Sequence, residues 1–507
     1  MLHSDSQASL DGDYAAVDLG SNSFYLLVVR RVHDAIHITD RLRETVRLAQ
    51  GVDHNGHLDL AVAQQALACL ARFAERLGAV PRQRIRAVGT QAFRETKGLD
   101  DFLHQAGQVL GVPIEIIPGE EEARLIYRGI SWREGIHGQN MVIFDIGGGS
   151  TELAGGAGEE PDWQDSIPMG CVSFSKRFFP PQQPISRNRL LQARLTAQSQ
   201  VNHLYSNMGQ PEVIYGASGS VRVVKYILEQ FGLLQENTIT PAALDALEKQ
   251  LFQGQNMNKN KLLSLIPDRA DVFPAGLAIL RGVMDGLSLS SVQVTDAALR
   301  EGIMVELVHP EMASDTREKT LRSMQQRFGL DRQHGMRAAD TAQVLWPQIA
   351  TAWSLEQNDT DLDSLRYAAC LHEIGQAIAH VGYHKHGAYL LRHAHLAGFT
   401  ERQRHVLVML VRNHRRRLTM NARKLEPAQH ALLGLCITLR LAVLLNRNRL
   451  PQPMPPWSFH GDYPILHLDI QKGWLDQRPL LRADLAEEAH RLHQAKVHLR
   501  LNETAAP

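Results

Sequence analysis

The chain has 507 residues, more than one hydrophobic core normally supports, so several domains with separate cores are expected. Lys and Arg total 54 and balance 54 Asp and Glu, which excludes the global basic field typical of nucleic-acid-binding proteins. The four cysteines form no close C-x-x-C pair, which argues against a disulfide framework or a zinc ribbon and favours a reducing cytoplasm.

Residues 1–13 are polar and acidic, and they contain no basic flank followed by an apolar run. The sequence therefore predicts neither a signal peptide nor a membrane span. We expect a cytoplasmic protein that binds no nucleic acid. Peripheral association with the inner face of the cell membrane stays open, because no sequence feature tests it.

Two similar hairpins are predicted in the N-terminal half. In each, an apolar strand ends on an aspartate, and a turn of small residues leads into the next strand. The first hairpin contains Asp18 and the turn Gly20-Ser21-Asn22-Ser23, and the second contains Asp145 and the turn Gly147-Gly148-Gly149-Ser150. Two copies of one plan predict a duplicated domain.

Strands and helices alternate between and after the hairpins. Apolar spacing predicts helices over 61–77, 100–110 and 221–231, strands over 85–89 and 114–117, and a further strand starting at Val213. This alternation predicts an α/β fold with mixed sheets.

The C-terminal part of the chain has a different pattern of apolar residues. Helical periodicity from about Met312 to about Leu450 predicts a helical domain, and 15 of the 24 histidines follow Asp331. The proline-rich segment 450–457 predicts a linker. Beyond it, a strand over 465–470, a helix over 482–494 and a strand over 497–501 predict a small α/β domain.

The two turns have the composition of a phosphate site. Glycines and small hydroxyl residues leave backbone N–H groups uncovered, so a phosphate can bind against them. Asp18, Asp145 and Glu152 flank the turns and offer the oxygen ligands that Mg²⁺ prefers. The alternative is that the turns are only tight connections and that the aspartates accept hydrogen bonds from turn N–H groups.

A general base and an arginine are also predicted. Glu120, Glu121 and Glu122 follow Pro118-Gly119 and belong in the first turn of a helix, where the helix dipole alone favours acids. A carboxylate aimed at a phosphate cleft would instead have the raised pKa of a base for water, and the residues leave open which of the three it is. Arg94 would be a bidentate phosphate ligand at the cleft rim or a surface residue.

Five segments together resemble the exopolyphosphatase and guanosine pentaphosphate phosphohydrolase family across the whole chain. They are 18–24, 88–94, 119–126, 145–152 and 298–302. The resemblance implies two actin-like lobes of the ribonuclease H-like class, an all-helical HD-like domain and a small α/β domain. Their implied limits are 1–127, 128–310, 311–450 and 451–507.

The resemblance also implies roles for individual residues. The base falls on Glu122, with Glu121 beside it, and the phosphate-binding arginine falls on Arg94. Asp145 and Glu152, with Asp18, become metal ligands for Mg²⁺, with Mn²⁺ as an alternative and a monovalent cation such as K⁺ as an addition. The third phosphate loop falls on Ser218, Gly219 and Ser220. A homodimer is expected from the resemblance alone.

The helical domain has an incomplete HD metal set. His372-Glu373 stands where an HD hydrolase has His-Asp and His334 fits the first ligand position, but Leu439–Ala442 lacks the closing aspartate. A separate metal hydrolase is therefore not expected. A basic run offers instead a site for a polyphosphate tail, with a solvated helix face as the alternative. The run comprises Arg412, His414, Arg415, Arg416 and Arg417.

The leading hypothesis is an exopolyphosphatase, which removes terminal phosphate processively from inorganic polyphosphate with water activated by a glutamate. The alternative is hydrolysis of the 5′-phosphate of guanosine 5′-triphosphate 3′-diphosphate (pppGpp). A hypothesis of another class is a non-catalytic sensor of polyphosphate or nucleotide.

Overall fold

A computed structural model describes residues 10–32, 35–53, 55–136, 138–181, 183–234, 238–252, 262–451 and 457–504. Residues 1–9 of the polar N-terminus and 452–456 of the predicted linker lie outside the described residues. The chain forms two compact units, Met1–Ala313 and Ser314–Pro507.

The first unit begins with a five-stranded sheet and its helices. The strands are β1 Gly12–Leu19, β2 Ser23–Val32, β3 Ala35–Thr45, β4 Ile85–Gly89 and β5 Ile114–Ile116, in the order β3-β2-β1-β4-β5. The helices are α1 Leu60–Leu77, α2 Gln91–Glu95, α3 Asp100–Leu110 and α4 Gly119–Glu134. β1 and β2 form the first predicted hairpin, and β4 and β5 run parallel to β1.

A second sheet repeats this plan. Its strands are β6 Met141–Ile146, β7 Thr151–Gly156, β8 Trp163–Ile167, β9 Val213–Ala217, β10 Thr238–Ile239 and β11 Val292–Val294, in the order β10-β11-β9-β6-β7-β8. Read from β8, the order β8-β7-β6-β9-β11 corresponds to β3-β2-β1-β4-β5 of the first sheet, and β10 is an additional edge strand. This correspondence confirms the predicted duplication. The helices are α5 Cys171–Phe178, α6 Arg187–Val201, α7 Tyr205–Met208, α8 Ser218–Gln230, α9 Pro241–Leu251, α10 Phe273–Gly286 and α11 Leu299–Val308.

Helices α4 and α11 join the two sheets. They cross so closely that a Cβ atom on Gly302 would lie 1.9 Å from the carbonyl oxygen of Leu125, and a Cβ on Gly129 would lie 2.6 Å from the amide nitrogen of Gly302. Their apolar faces share one core with both sheets, including Ala16 and Ile143. Only glycine permits this crossing, which fixes where α4 begins relative to the two hairpins.

The second unit is mostly helical. Its helices are α12 Pro310–Arg327, α13 Arg332–Ala352, α14 Asp359–Leu371, α15 Tyr383–His393, α16 Glu401–Asn413, α17 Pro427–Leu445 and α18 Pro479–Gln494. A three-stranded sheet completes it, with β12 Ser458–His460, β13 Ile465–Gln471 and β14 His498–Thr504 in the order β12-β13-β14. One hydrophobic core contains side chains from the helices and from this sheet, so the predicted limit near residue 451 does not divide two cores.

Helix α17 is long and apolar enough to cross a bilayer, but 61% of its most apolar window is buried inside the protein. It also carries Arg440, which is 2% exposed and donates hydrogen bonds to the carboxylate of Glu488. A helix at the centre of a core accounts for this composition.

Candidate active site

The two hairpin loops meet in the first unit. A Cβ atom on Gly148 would lie 3.0 Å from Cβ of Ser21, so the loops are in contact. Ser21 Oγ also donates to Gln91 Oε1 at 3.2 Å. Of the eight predicted loop residues, seven line one cleft, whereas Gly149 packs against the side-chain amide of Gln91. Both loops therefore present backbone to the same space.

Sheet register brings the predicted acids to this cleft. Asp18 and Asp145 occupy the next-to-last positions of β1 and β6. Glu152 pairs directly with Asp145 across β6 and β7, and residues directly opposite in an antiparallel pair project from the same face. All three acids line the cleft, and Ser166 Oγ donates to Glu152 Oε1 at 2.9 Å.

Glu122 enters the same cleft from the first turn of α4 and is 8% exposed. Arg94 Nη1 donates to Glu122 Oε2 at 3.0 Å and to the carbonyl oxygen of Ile117 at 2.8 Å. The side chain of Arg94 is not among those that line the cleft. In this geometry Arg94 orients the glutamate, and its contact with phosphate stays a prediction.

Glu121 points away from the cleft, contrary to its expected place beside the base. Arg124 binds both of its oxygens, with Nη2 donating to Oε1 at 2.6 Å and Nε donating to Oε2 at 2.8 Å. Arg124 also pairs with Glu306 of α11. Successive residues of an α-helix point in directions about 100° apart, so only one of the two glutamates can face the loops. Glu121 is part of a buried ion-pair network instead.

The environment of the cleft opposes ionisation of its four carboxylates. Burial, and then repulsion from Glu122, raises the pKa of Asp18 to about 8 and the pKa of Asp145 to about 7. The same two causes raise the pKa of Glu152 well above its usual range. Burial also raises the pKa of Glu122, although Arg94 beside it acts in the opposite direction. Without a cation among them, the four groups are not all ionised at neutral pH.

This charge imbalance fits a hard divalent cation held by Asp18, Asp145 and Glu152. Among the described residues, the oxygens of these acids do not all lie within 4.8 Å of one another. Water and substrate oxygens would therefore complete the coordination. Mg²⁺ commonly binds in this way, through one or two carboxylates with several waters and phosphate oxygens.

The third predicted loop also lines the cleft. Ser218, Gly219 and Ser220 form the first turn of α8, where helix N–H groups point out of the helix end. Ser218 has a φ of 92°, rare for a residue other than glycine, and its Oγ accepts a hydrogen bond from the amide of Ser220 at 3.1 Å. Strain of this kind is typical of ligand-binding turns.

Three arginines in the cleft had no predicted role. Arg222 lies on α8, Arg300 is the second residue of α11, and Arg269 precedes α10. Burial lowers the pKa of Arg269, and no carboxylate pairs with it within the described part of the chain. Arg300 lies in the 298–302 segment, so the family resemblance could have predicted a place for it in the site. The local sequence around Arg269 contains no motif that would have predicted its place in the cleft. Together they offer positive charge to an anionic ligand.

The residues of the predicted tail-binding run lie in two different environments in the second unit. Arg412, Arg415, Arg416 and Arg417 line a groove with Lys385. His414 does not line that groove, because it is 2% exposed and its ring lies 5.2 Å from the ring of His372. His414 is therefore in the interior of the unit, and contact between the four arginines and polyphosphate stays a prediction.

Residues 27–311 match the Ppx/GppA phosphatase family, and residues 316–489 match domain III of that family. The chain belongs to the Ppx/GppA phosphatase family. A guanosine-5′-triphosphate,3′-diphosphate pyrophosphatase of Vibrio campbellii is 37% identical over 494 residues, covering 96% of this chain and 97% of the relative. A protein of the same name from Vibrio vulnificus is 38% identical over 498 residues, with the same coverage.

Solved Ppx/GppA structures share the fold. An exopolyphosphatase from Cytophaga hutchinsonii superposes with a TM-score of 0.53 at 22% identity, covering 59% of this chain and 98% of that chain. The Aquifex aeolicus PPX-GPPA enzyme gives 0.51 at 22% identity, covering 58% and 99%. The predicted fold class, with two actin-like lobes and a helical domain, is confirmed. As a Ppx/GppA phosphatase the chain is a phosphoanhydride hydrolase, which excludes the non-catalytic sensor.

Proposed function

We propose that this Ppx/GppA phosphatase hydrolyses the 5′-terminal phosphate of pppGpp. The observation that carries the proposal is the carboxylate of Glu122 in one cleft with both hairpin loops. The relatives named for this nucleotide match this chain over almost its full length. These relatives support pppGpp as the substrate. The sequence patterns alone had favoured polyphosphate.

The proposed reaction uses the groups on the cleft wall. Backbone N–H groups of the two hairpin loops would bind the terminal phosphate oxygens, and Arg300 would add positive charge. Glu122 would accept a proton from a water molecule while the oxygen of that water attacks the terminal phosphorus in line with the bond that breaks. The bond from that phosphorus to the bridging oxygen then breaks, and orthophosphate leaves, with the nucleotide keeping the bridging oxygen.

The fold family implies Mg²⁺ in this cleft. Asp18, Asp145 and Glu152 would hold it, and bound Mg²⁺ would supply neutralisation of the charge on the phosphate oxygens. Replacement by Mn²⁺ and a requirement for K⁺ stay predictions, as do the homodimer and the cytoplasmic location.

A basic pocket beside the cleft supports a nucleotide with two separate phosphate groups. It shares Asn22 and Arg269 with the cleft and adds Arg43 and Arg47. Its wall is partly apolar, with Val223 and Pro267 among the lining residues. The 3′-diphosphate of pppGpp needs a second anion site at a distance from the 5′-triphosphate. We propose that Arg43 and Arg47 bind it.

Polyphosphate is the second candidate, favoured by the groove of four arginines in the second unit. Phosphate release from pppGpp and from long-chain polyphosphate should be measured side by side with Mg²⁺. We expect a higher kcat/KM for pppGpp. A higher kcat/KM for polyphosphate would make polyphosphate the preferred substrate and would refute our choice.

The double variant Arg43→Ala, Arg47→Ala tests the nucleotide subsite. Hydrogen bonds to charged groups contribute about 1.5–3 kcal/mol each, so kcat/KM for pppGpp should fall at least about 10-fold. Turnover of GTP, which has no 3′-diphosphate, should change little. The exposed Arg133→Ala is the matched control. Equal losses for GTP and pppGpp would refute the subsite but leave the role of Glu122 intact.

A further inference from the structure

Three buried histidines meet in the second unit. His334 lies in the first turn of α13, His372 follows the last residue of α14, and His414 follows the last residue of α16. The ring of His372 lies 5.3 Å from that of His334 and 5.2 Å from that of His414. Each of the three is at most 3% exposed, and all line one pocket.

Backbone contacts fix the tautomers of two of these rings. His372 Nδ1 lies 2.7 Å from the carbonyl oxygen of Ala369, and His414 Nδ1 lies 2.7 Å from the carbonyl oxygen of Val411. A carbonyl oxygen only accepts hydrogen bonds, so each Nδ1 must carry the proton. Each Nε2 is therefore a lone-pair acceptor. Histidine ligands of metal ions are commonly oriented in this way.

Three ring nitrogens of this cluster have no hydrogen-bond partner within the described residues. His372 Nε2, His414 Nε2 and His334 Nδ1 are buried nitrogens without a hydrogen-bond partner there. A buried polar atom left unsatisfied costs about 1–3 kcal/mol. The lone pairs on Nε2 of His372 and His414, with the unpartnered nitrogen of His334 beside them, point to a ligand that accepts lone pairs.

Glu373 adds a carboxylate to the cluster. Its oxygen and one nitrogen each from His334 and His372 all lie within 4.8 Å of one another. Arg449 Nη2 donates to Glu373 Oε1, which fixes the direction of the carboxylate. Two histidines and one glutamate form a ligand set that first-row divalent metals use with coordination positions left open.

We propose that His334, His372 and Glu373 bind one divalent transition-metal ion of the Zn²⁺ class, with His414 next to His372. The incomplete HD pattern in the sequence had suggested that no metal binds here. In the structure, Glu373 stands in the place of the aspartate that follows the second histidine, and the buried His414 lies next to His372, although no aspartate closes the set from 439–442.

The surroundings indicate the chemistry of the remaining ligand. Arg415, Arg416, Arg447, Arg449 and Arg491 line the same pocket. Arg447, Arg449 and Arg491 pair with carboxylates, whereas Arg415 and Arg416 have no carboxylate partner within the described residues. Two guanidinium groups without such a partner, close to a bound cation, favour an anion between them. A phosphate group would bind the open metal positions and the arginines together.

The test uses the full-length chain carrying Asp145→Asn and Glu152→Gln, so that the first-unit cleft contributes little metal binding. After chelator treatment, Zn²⁺ binding is measured by calorimetry. We expect one Zn²⁺ per chain. His372→Ala and His334→Ala should each weaken Zn²⁺ binding at least about 100-fold, because even the loss of an outer partner of a metal ligand costs 10- to 100-fold. The exposed His405→Ala on α16 is the matched control and should bind normally.

Two further measurements remain informative if a histidine variant folds poorly. Glu373→Gln changes a partly exposed side chain and should weaken Zn²⁺ binding without loss of folding. Co²⁺ in the unmutated pocket should give visible absorption bands of nitrogen ligation, and inorganic phosphate should shift them. Absence of tight Zn²⁺ binding, or unchanged affinity in His372→Ala and Glu373→Gln, would refute the proposal.

Discussion

The cleft of the first unit and the pocket of the second unit gather titratable groups in opposite ways. In the cleft, burial and mutual repulsion raise the pKa of Asp18 and Asp145, so carboxylates are held partly protonated. In the pocket, burial lowers the pKa of His372 and His414, so imidazoles are held neutral. Oxygen ligands beside phosphate loops suit Mg²⁺, whereas neutral imidazoles suit Zn²⁺. One chain thus contains two electrostatically distinct clusters, and we propose that each binds a phosphate-bearing ligand.

The largest expected effect is on catalysis in the cleft. Glu122→Gln removes the proposed base and should lower kcat at least about 100-fold, since general bases contribute about 10²- to 10⁴-fold. Glu120→Gln, in the same acidic run but outside the cleft lining, is the control and should retain activity. Phosphate release from pppGpp measures both. Near-normal turnover of Glu122→Gln would mean that another group is the base.

Glu121→Gln should affect stability and spare chemistry. Breaking one partner of a buried ion pair costs roughly 3 kcal/mol, and here Arg124 keeps its contact with Glu306. We expect a lower free energy of unfolding in urea and a kcat close to that of the unmutated enzyme. A large loss of kcat in a stably folded Glu121→Gln protein would contradict the separation of the two glutamates.

Gly302→Ala tests how α4 is positioned. Its new Cβ would lie 1.9 Å from the carbonyl oxygen of Leu125, so α4 and α11 must move apart. Overpacking of this kind costs about 1–3 kcal/mol, and the shift should also displace Glu122. We expect lower thermal stability together with lower kcat. Gly135→Ala is the control. Its Cβ would meet no other atom, although the positive φ of Gly135 adds backbone strain. We therefore expect Gly135→Ala to lose some stability and to keep its kcat.

Mg²⁺ should stabilise the protein more at pH 8 than at pH 6. The folded-state pKa of Asp18 is about 8 against an ordinary value of 3.8, so the native state binds more protons than the unfolded state between these limits. Stability of the metal-free protein therefore falls as pH rises through this window. Mg²⁺ offsets the repulsion among ionised acids. Melting temperatures with Mg²⁺ and with chelator measure this, and an equal gain at both pH values would contradict it.

The hairpins were predictable because their signals are local. An apolar strand, an aspartate and a turn of small residues fall within a dozen positions, twice, and register then places Asp145 opposite Glu152. Two other elements have weaker local signals. β3 exposes most of its side chains at a sheet edge, and only Ile36, Ile38 and Leu42 give it an apolar alternation. Helix α10 is buried on nearly every side, so its apolar residues have no one-sided period.

Long-range contacts decided what the sequence left open. Glu121 is held out of the cleft by Arg124, which in turn pairs with Glu306 of α11, a contact that the sequence of α4 alone does not reveal. Arg269 reaches the cleft from a segment with no local mark of function. The histidine pocket likewise requires three helix ends to converge, which the spacing of His334, His372 and His414 along the chain does not reveal.

The most direct test of the central claim is a crystal structure of the Glu122→Gln protein with pppGpp and Mg²⁺. The 5′-terminal phosphate should lie between residues 20–23 and 147–150. A water in line with the breaking bond should lie about 2.6–3.2 Å from the side chain at position 122. A terminal phosphate bound outside these loops, or an in-line water held by a different carboxylate, would contradict the account.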